Sequence, residues 1–223
     1  MSRILIQIML FIFPWKIRRP LLCKIFGFQI AKTAKIGFSI ILARELILEE
    51  NSNIGSLVIC KGIDCFKMYK GSHVGNLMYI TGFSTLNNSV FQSVHNRHCE
   101  LIMDEYSTLT SRHFVDCNGG VYIGAFTTIA GIKSQILTHS INVYKNRQEA
   151  HPIYIGKYCF VGTGCILLPG TKLPDYSVLG AGSVLTKSYE EPACLYAGNP
   201  AKNIKDIDIT TALYFQRDER MVY

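Results

Sequence analysis

The feature of this sequence that most constrains its fold is an aliphatic residue that recurs every six positions in the C-terminal half. The recurring residues are Ile155, Val161, Leu167, Leu173, Leu179 and Leu185. A period of six fits neither an α-helix, which repeats every 3.6 residues, nor a single strand, which alternates every two. It fits short strands joined by tight corners, and repeats of this length form parallel β-helices. The sequence therefore predicts an all-β solenoid with three hexads in each coil.

The same spacing continues upstream in a weaker form. It is present in Ile36, Leu42, Leu48 and Ile54, and in a shifted frame in Met103, Leu109, Val115 and Val121. We interpret residues 60–120 as continued β-helix with bulges, so that residues 31–203 form one domain. In the C-terminal series a small residue lies four positions after each of the first five aliphatic residues, and Cys159 and Cys165 fill two of these positions. The eight cysteines include no CxxC pair, which predicts reduced thiols in a cytoplasmic protein.

The two ends of the chain depart from the repeat. Residues 4–15 are mostly apolar, but a bilayer requires about 20 apolar residues for a span. Lys16, Arg18 and Arg19 follow at once. Residues 1–30 are therefore predicted to form a helical cap with affinity for the inner face of the cell membrane. Pro192 and Pro200 end the repeat, and residues 204–223 are predicted to form a short helical tail.

The repeat is interrupted after His139, where a polar segment begins. Residues 140–154 are predicted to project from the coil as a loop. Of the six histidines, only His139 stands at the end of a hexad run. An imidazole with an ordinary pKa of about 6.5 suits a general base at neutral pH. His139 is therefore the candidate base, with His151 as the reserve.

The C-terminal repeats resemble those of a known enzyme family. The stretch "YIGKYCFVGTGCILLPGTKLPDYSVLGAGSVLTKSYEEPACLYAGNPAKNIK" is similar to the C-terminal half of hexapeptide-repeat acyltransferases. "YIGAFTTIAG" followed by "THS" resembles the members that O-acetylate sugars, including those of lipopolysaccharide and capsule synthesis. The resemblance implies a left-handed parallel β-helix with an N-terminal helix, a projecting loop and a short C-terminal helix. It also implies a homotrimer with active sites between subunits, acetyl-CoA as donor, and no metal.

The same resemblance implies roles for individual residues. His139 corresponds to the catalytic base. The acceptor would contact Asp116, Asn118 and Phe160. Apart from the resemblance, the polar side chains of Lys145 and Arg147 in the projecting loop are candidates to bind a sugar or its phosphate. The pantetheine arm of the donor would run past Thr163, Ala181 and Gly182, its adenine end past Thr186 and Lys187, and its phosphates would face Lys202 and Lys205.

Several functions fit these observations. The leading one is an acetyl-CoA-dependent O-acetyltransferase that modifies a sugar hydroxyl of a surface polysaccharide or its precursor. The alternatives are an N-acetyltransferase, a zinc hydratase that uses His113, His139 and His151, and a non-catalytic scaffold. A net charge of +7 without a recognisable nucleic-acid-binding module does not indicate nucleic-acid binding.

Overall fold

The computed structural model describes residues 2–87, 89–220 and 222. Two helices at the N-terminus precede a long array of short strands. The helices are α1 (Arg3–Leu10) and α2 (Trp15–Phe26). No helix among the described residues is long and apolar enough to cross a membrane.

The strands form three parallel sheets, and consecutive strands of the coil enter the three sheets in turn. The first sheet contains β1 (Gln29–Ile30), β4 (Glu45–Leu48), β7 (Cys65–Met68), β10 (Glu100–Met103), β13 (Val121–Ile123), β18 (Ile153–Ile155) and β21 (Lys172–Leu173). The second contains β2 (Lys35–Ile36), β5 (Asn53–Ile54), β8 (His73–Val74), β11 (Thr108–Leu109), β14 (Thr128–Ile129), β19 (Phe160–Val161), β22 (Val178–Leu179), β24 (Cys194–Gly198) and β25 (Ala201–Asp206). The third contains β3 (Ile40–Leu42), β6 (Ile59–Lys61), β9 (Tyr79–Thr81), β12 (Phe114–Asp116), β15 (Gln135–Ile136), β20 (Ile166–Leu167) and β23 (Val184–Leu185).

The recurring aliphatic side chains form the core between the three sheets. In the third sheet Leu167 is paired with Ile136 on one side and Leu185 on the other, and all three are fully buried. Each strand places its aliphatic residue over the equivalent residue of the preceding coil, so the core is a set of stacked columns. The predicted all-β architecture of parallel strands is confirmed.

The length of one coil varies along the chain, and this variation explains the shifted repeat in the middle. Ile155 pairs with Leu173, eighteen positions later, whereas Met103 pairs with Ile123, twenty positions later. The longer coils contain four-residue strands in the first sheet, with two inward-facing residues instead of one. Each of these coils is therefore two residues longer. The recurring aliphatic residues shift by two positions in the sequence, while their packing in the core is preserved.

Two insertions leave the coil at the same corner, where the third sheet is followed by the first. We call the segments 82–99, 117–120 and 137–152, which make these connections, the third-to-first corner. Residues 82–87 and 89–99 belong to no helix or strand, so the expected continuous β-helix over residues 60–120 is wrong at this point. The predicted loop 140–154 is instead an antiparallel hairpin of β16 (His139–Asn142) and β17 (Arg147–Ala150). Its last predicted residues, from 153 on, already belong to β18.

Side chains of the two helices cover the open edge of the first coil. The Gln7 side chain donates to the carbonyl of Ile41 and accepts from its amide. Arg18 donates to the carbonyl of Ile36, and Arg19 to that of Ile30 at 2.7 Å. Each of the three sheets therefore has its first strand satisfied by a helical side chain, as an exposed strand edge requires.

The C-terminal segment differs from the predicted helical tail of residues 204–223. Strand β25, which extends to Asp206, pairs antiparallel with β24. Beyond it the only helical element among the described residues is a single 3₁₀ turn, Leu213–Gln216. The Tyr214 hydroxyl then donates to the carbonyl of Cys159 at 2.9 Å, so the tail returns along the second sheet.

Candidate active site

The candidate site is a histidine and an aspartate brought together at the third-to-first corner. His139 begins the hairpin, and Asp116 ends β12 in the coil below it. The His139 Nδ1 lies 2.6 Å from the Asp116 Oδ2. Because a carboxylate only accepts hydrogen bonds, this contact assigns the proton to Nδ1 and leaves the lone pair on Nε2.

The carboxylate of Asp116 is held in place by several donors. It is fully buried. Its Oδ2 also accepts the backbone amides of Thr138 at 2.9 Å and of His139 at 3.0 Å. Its Oδ1 accepts from the Asn118 side chain at 2.5 Å. In the structure the Asp116 oxygens contact His139, the Asn118 side chain and the backbone that positions His139. A contact of Asp116 with the acceptor stays a prediction.

These contacts determine the charge states of the pair. Burial raises the pKa of the Asp116 carboxyl, but the hydrogen bonds from His139, Asn118 and Thr138 outweigh it and hold the pKa below its usual range. For His139, the hydrogen bond to Asp116 raises the pKa and outweighs the opposite effect of partial burial. An ionised carboxylate therefore orients a histidine of increased basicity, which is the arrangement of a general base and its orienting group.

The imidazole of His139 is accessible to a substrate. Its side chain is 39% exposed, against 1% for that of Asp116. The inserted loop 82–99 approaches it from one side, where the ring of Phe91 meets it edge-on at a centroid distance of 6.1 Å. The His139 ring is therefore held by Asp116 and bordered by the Phe91 ring, and the rest of the imidazole is open.

The loop 82–99 is held by polar contacts to Asn118, in the turn 117–120. The Arg97 guanidinium lies over the Phe91 ring at 4.5 Å. It donates to the carbonyls of Phe83 at 2.6 Å and Asn118 at 3.1 Å. The Asn118 side-chain oxygen accepts the amide of Phe83 at 2.8 Å. Asn118 is buried and uses its amide in these contacts. That it binds the acceptor stays a prediction.

The sequence did not reveal this loop as part of the site. Phe91 and Arg97 belong to no repeat and to no recognised motif. One signal was present: the inward residues Ile80 and Leu101 are twenty-one positions apart, where the regular connection between these sheets takes six. An insertion at this corner could have been found by counting from one inward residue to the next.

A groove separates the loop 82–99 from the hairpin. Its volume is about 610 Å³, and its wall includes His95, His98, Arg147, His151 and Tyr154. Of the two predicted acceptor residues in the hairpin, Arg147 lines this groove, 3.7 Å from the Glu149 carboxylate. Lys145 lies exposed in the turn at the tip.

The predicted donor residues lie elsewhere on the same chain. Thr163, Ala181 and Gly182 are stacked on the corner between the second and third sheets, where the Gly182 amide donates to the Thr163 carbonyl at 2.9 Å. The remaining four, all exposed, follow towards the C-terminal end: Thr186 and Lys187 after β23, and Lys202 and Lys205 on β25. In one chain, His139 and the stacked corner therefore lie at opposite ends of the strands of the third sheet.

Phe160 is not placed beside His139. It lies on the second sheet, where the ring of Tyr214 from the C-terminal tail meets it edge-on at 5.8 Å. The tail covers this position, so the expected apolar wall of an acceptor cleft is not formed by Phe160 within the chain. Phe91 provides an aromatic wall next to His139 instead.

The other candidate histidines are not assembled into a metal site. His113 is buried and interacts with the Thr110 hydroxyl at 2.9 Å through Nε2, while its Nδ1 accepts the Ser134 amide at 3.1 Å. Burial lowers the pKa of His113 to about 4, so the ring is neutral. Over residues 2–87, 89–220 and 222, no group of three or more His, Cys, Asp or Glu side chains could hold a metal ion.

Comparison with known proteins finds similarity over part of the chain. Residues 152–187 match the family model described as the hexapeptide repeat of succinyl-transferase. A predicted acetyltransferase of Staphylococcus aureus (strain Mu50) is 40% identical over 74 residues, which are 32% of this chain and 37% of that protein. The galactoside O-acetyltransferase of Escherichia coli (strain K12) is 34% identical over 70 residues, 31% of this chain and 34% of that enzyme. The matches thus span about a third of the length of these curated relatives.

One solved structure extends the similarity to most of the chain at the level of the fold. The polysialic acid O-acetyltransferase OatWY superposes with a TM-score of 0.62 at 18% identity, over 80% of this chain and 84% of that chain. At this identity the likeness concerns the fold alone. The sequence matches, which cover a third of this chain or less, are to a hexapeptide-repeat family model and to acetyltransferases.

Proposed function

We propose that this chain is an acetyl-CoA-dependent O-acetyltransferase that transfers an acetyl group to a sugar hydroxyl of a surface polysaccharide or its precursor. The observation that carries the proposal is the buried Asp116 carboxylate, 2.6 Å from the Nδ1 of a partly exposed His139. The proposal includes a left-handed β-helix, a homotrimer, and a role in lipopolysaccharide or capsule synthesis. It also includes a cytoplasmic location with a peripheral membrane contact.

In the proposed reaction, His139 removes the proton of the acceptor hydroxyl through its Nε2. The hydroxyl oxygen attacks the thioester carbonyl of acetyl-CoA, and a tetrahedral intermediate forms. Its collapse breaks the bond between carbon and sulfur, and His139 returns the proton to the departing thiolate of CoA. Asp116 stays ionised and stabilises the imidazolium that exists between these two proton transfers.

A trimer would complete the site. His139 and the stacked residues Thr163, Ala181 and Gly182 lie at opposite ends of the strands of one sheet, so one chain does not bring donor and base together. In a cyclic trimer, the edge with His139 of one subunit faces the edge with the donor residues of the next. Each cleft would then bind acetyl-CoA on one side and the acceptor near the hairpin of the other subunit.

The groove between the loop 82–99 and the hairpin is the proposed acceptor site. It combines the exposed ring of Tyr154 with the polar side chains of Arg147, His95, His98 and His151. An aromatic surface beside hydrogen-bonding groups suits a sugar, which has both apolar C–H faces and hydroxyls. The relatives named above include a galactoside O-acetyltransferase and a polysialic acid O-acetyltransferase, which supports a glycan acceptor.

The test is thiol release from acetyl-CoA with a panel of acceptors, measured for the wild type, His139→Ala and the matched control His151→Ala. The panel contains neutral sugars, acidic sugars, lipid-linked glycans and amino sugars. We expect release that requires a hydroxyl acceptor and that falls by about 10² or more in His139→Ala, the size of a lost general base. His151→Ala is expected to retain turnover with a higher KM.

Other outcomes would change the proposal. Full activity of His139→Ala would exclude it as the base and direct attention to His151. Release that requires an amine would reassign the enzyme as an N-acetyltransferase. If the protein neither bound CoA nor turned over, a non-catalytic scaffold would be the better description. Light scattering of the same sample tests the trimer directly.

A further inference from the structure

The outer face of α1 has the reverse of the pattern expected for a helix in water. A surface helix normally turns polar side chains to the solvent and apolar ones to the core. In α1 the one uncharged polar residue, Gln7, is buried against β3. Apart from Arg3 and Lys16, the large exposed side chains of residues 3–17 are apolar: Ile4, Leu5, Ile8, Met9, Ile12, Phe13 and Ile17. Ile12 is 85% exposed and Met9 56%.

This apolar face is continuous and directed away from the coil. Residues 5, 8, 9 and 12 follow the spacing of one helical face. The opposite side of the helices carries the groups that cover the first coil, including Gln7, Leu10 and Arg18. We call the stack of coils bounded by the three sheets the prism. The apolar side chains therefore lie at the N-terminal end of the prism, where they have no partner among the described residues.

The charge of the chain is segregated at the same end. All eight charged residues of the first 44 positions are basic, and they supply more than the whole net charge of +7. The remaining 15 basic and 16 acidic residues nearly cancel over the rest of the sequence. Lys16 and Lys24 are exposed on α2 next to the apolar face, and Lys32 and Lys35 are exposed in the first coil. Such a face, apolar and flanked in sequence by basic residues, is complementary to an anionic bilayer.

We propose that the N-terminal end of the prism is a docking surface for an anionic phospholipid bilayer. The side chains of α1 and of the turn after it enter the boundary between headgroups and acyl chains, and Lys16 and Lys24 lie at the level of the headgroup phosphates. The axis of the prism then stands on the membrane, because the face belongs to its end and not to its side. This specifies the lipid, the inserted residues and the orientation of the peripheral contact included in the proposed function.

The experiment measures co-sedimentation of the full-length protein with vesicles of phosphatidylcholine alone and of phosphatidylcholine mixed with phosphatidylglycerol. The wild type is expected to bind the anionic vesicles at least tenfold more tightly, and less tightly as salt is raised, since each cation near the surface contributes about fivefold. Ile12→Asp and the pair Lys16→Glu with Lys24→Glu are each expected to weaken binding at least tenfold.

Matched controls place the same chemistry elsewhere on the molecule. Leu213→Asp changes an apolar residue that is 78% exposed in the C-terminal tail, and Lys133→Glu reverses an exposed charge on a corner of the coil. Both are expected to bind as the wild type does. Thermal melting of every variant checks that the fold is retained.

Three results would overturn the proposal. They are equal binding to both kinds of vesicle, unchanged binding of the Ile12 and lysine variants, or an equal loss in the controls. Self-association through this face would also contradict it, and would be seen as a doubled mass in light scattering that Ile12→Asp abolishes. Because binding is measured without acetyl-CoA, a failure of the proposed enzymatic activity would leave this result separate.

Discussion

Two corners of the prism connect the same third sheet to its neighbours, and they differ in almost every respect. The corner from the second sheet to the third is made of four or five residues in each of the coils that follow β11, β14, β19 and β22. The third-to-first corner contains an eighteen-residue loop, a short turn that begins at Cys117, and a hairpin. The first corner is regular throughout, whereas the second is interrupted by two insertions, the loop 82–99 and the hairpin.

The two corners also treat polar residues differently. At the regular corner His113 is neutral. Its hydrogen-bond partners, the Thr110 hydroxyl and the Ser134 amide, both belong to that corner. At the irregular corner Asp116 keeps a buried charge, and its partner His139 remains accessible. A regular repeat gives every coil the same environment, so a single reactive pair requires that the repeat be interrupted. Stability and chemistry are therefore expected to respond to different substitutions.

The largest expected effect is that of Asp116→Asn on acetyl transfer. The change removes the carboxylate that orients His139 and stabilises its imidazolium, so kcat/KM should fall by roughly 10²–10³. Since Asp116 raises the pKa of His139, and the base acts when neutral, the residual activity should retain its acid limb at a lower pH. The measurement is kcat/KM across the pH range for both proteins.

A merely structural role of Asp116 would lower activity equally at every pH and leave the acid limb where it was. Asn can still accept the Thr138 and His139 amides through its side-chain oxygen, so the variant is expected to fold. Unchanged activity at neutral pH would contradict the assignment of His139 as a base oriented by Asp116.

Leu167→Ala should lower the stability of the protein and leave its catalytic rate unchanged. Leu167 is fully buried between Ile136 and Leu185 in the core columns. Its truncation should reduce the free energy of unfolding by about 3 kcal/mol, the usual cost of such a cavity. At a temperature well below melting, kcat should be unchanged. Urea unfolding at a fixed protein concentration measures the first quantity, and a large fall in kcat of the folded variant would contradict the separation of the two regions.

His113→Gln should change how stability depends on pH. The folded pKa of about 4 lies below the unfolded value of about 6.5, so the neutral ring stabilises the protein above pH 6.5. That stability is lost as pH falls towards 4, by about 1.4 kcal/mol per pH unit. The variant should be the less stable protein at pH 7 and should approach the wild type near pH 4.5. A constant difference across this range, measured by denaturant unfolding, would show that folding does not lower the pKa of His113 and would contradict the prediction.

The smallest expected effect is that of Arg97→Lys. The guanidinium contacts two carbonyls and the Phe91 ring at once, and an ammonium does not reproduce that planar geometry. The loop 82–99 should exchange its amide hydrogens faster, and kcat/KM should fall by roughly tenfold or less as Phe91 shifts against His139. Arg112→Lys, on the regular corner, is the control. If loop exchange rose without any kinetic change, the aromatic wall would have no part in catalysis.

The sequence predicted the regular part of the molecule well, because a hexad repeat records burial directly: Ile155 to Leu185 are the buried columns. It also led to His139 as the residue at the interruption, a role that stays a prediction. It also led to Asp116 and Asn118, but it gave no sign that their side chains are buried beside His139, because a polar residue near a site can face either the solvent or the interior. The contacts of Phe91 and Arg97 could not be predicted, because an insertion has no period and its partners, His139 for Phe91 and Asn118 for Arg97, are distant in the sequence.

The way in which the two ends of the coil are closed has a consequence for assembly. A parallel β-helix ends in a row of unpaired amides and carbonyls, which is a template for further strands. Gln7, Arg18 and Arg19 occupy this row at the N-terminal end, and β25 extends the second sheet at the other end with a strand of opposite direction. The same helices that expose an apolar face thus act as a stop against polymerisation. A chain without them should stack end to end into fibres.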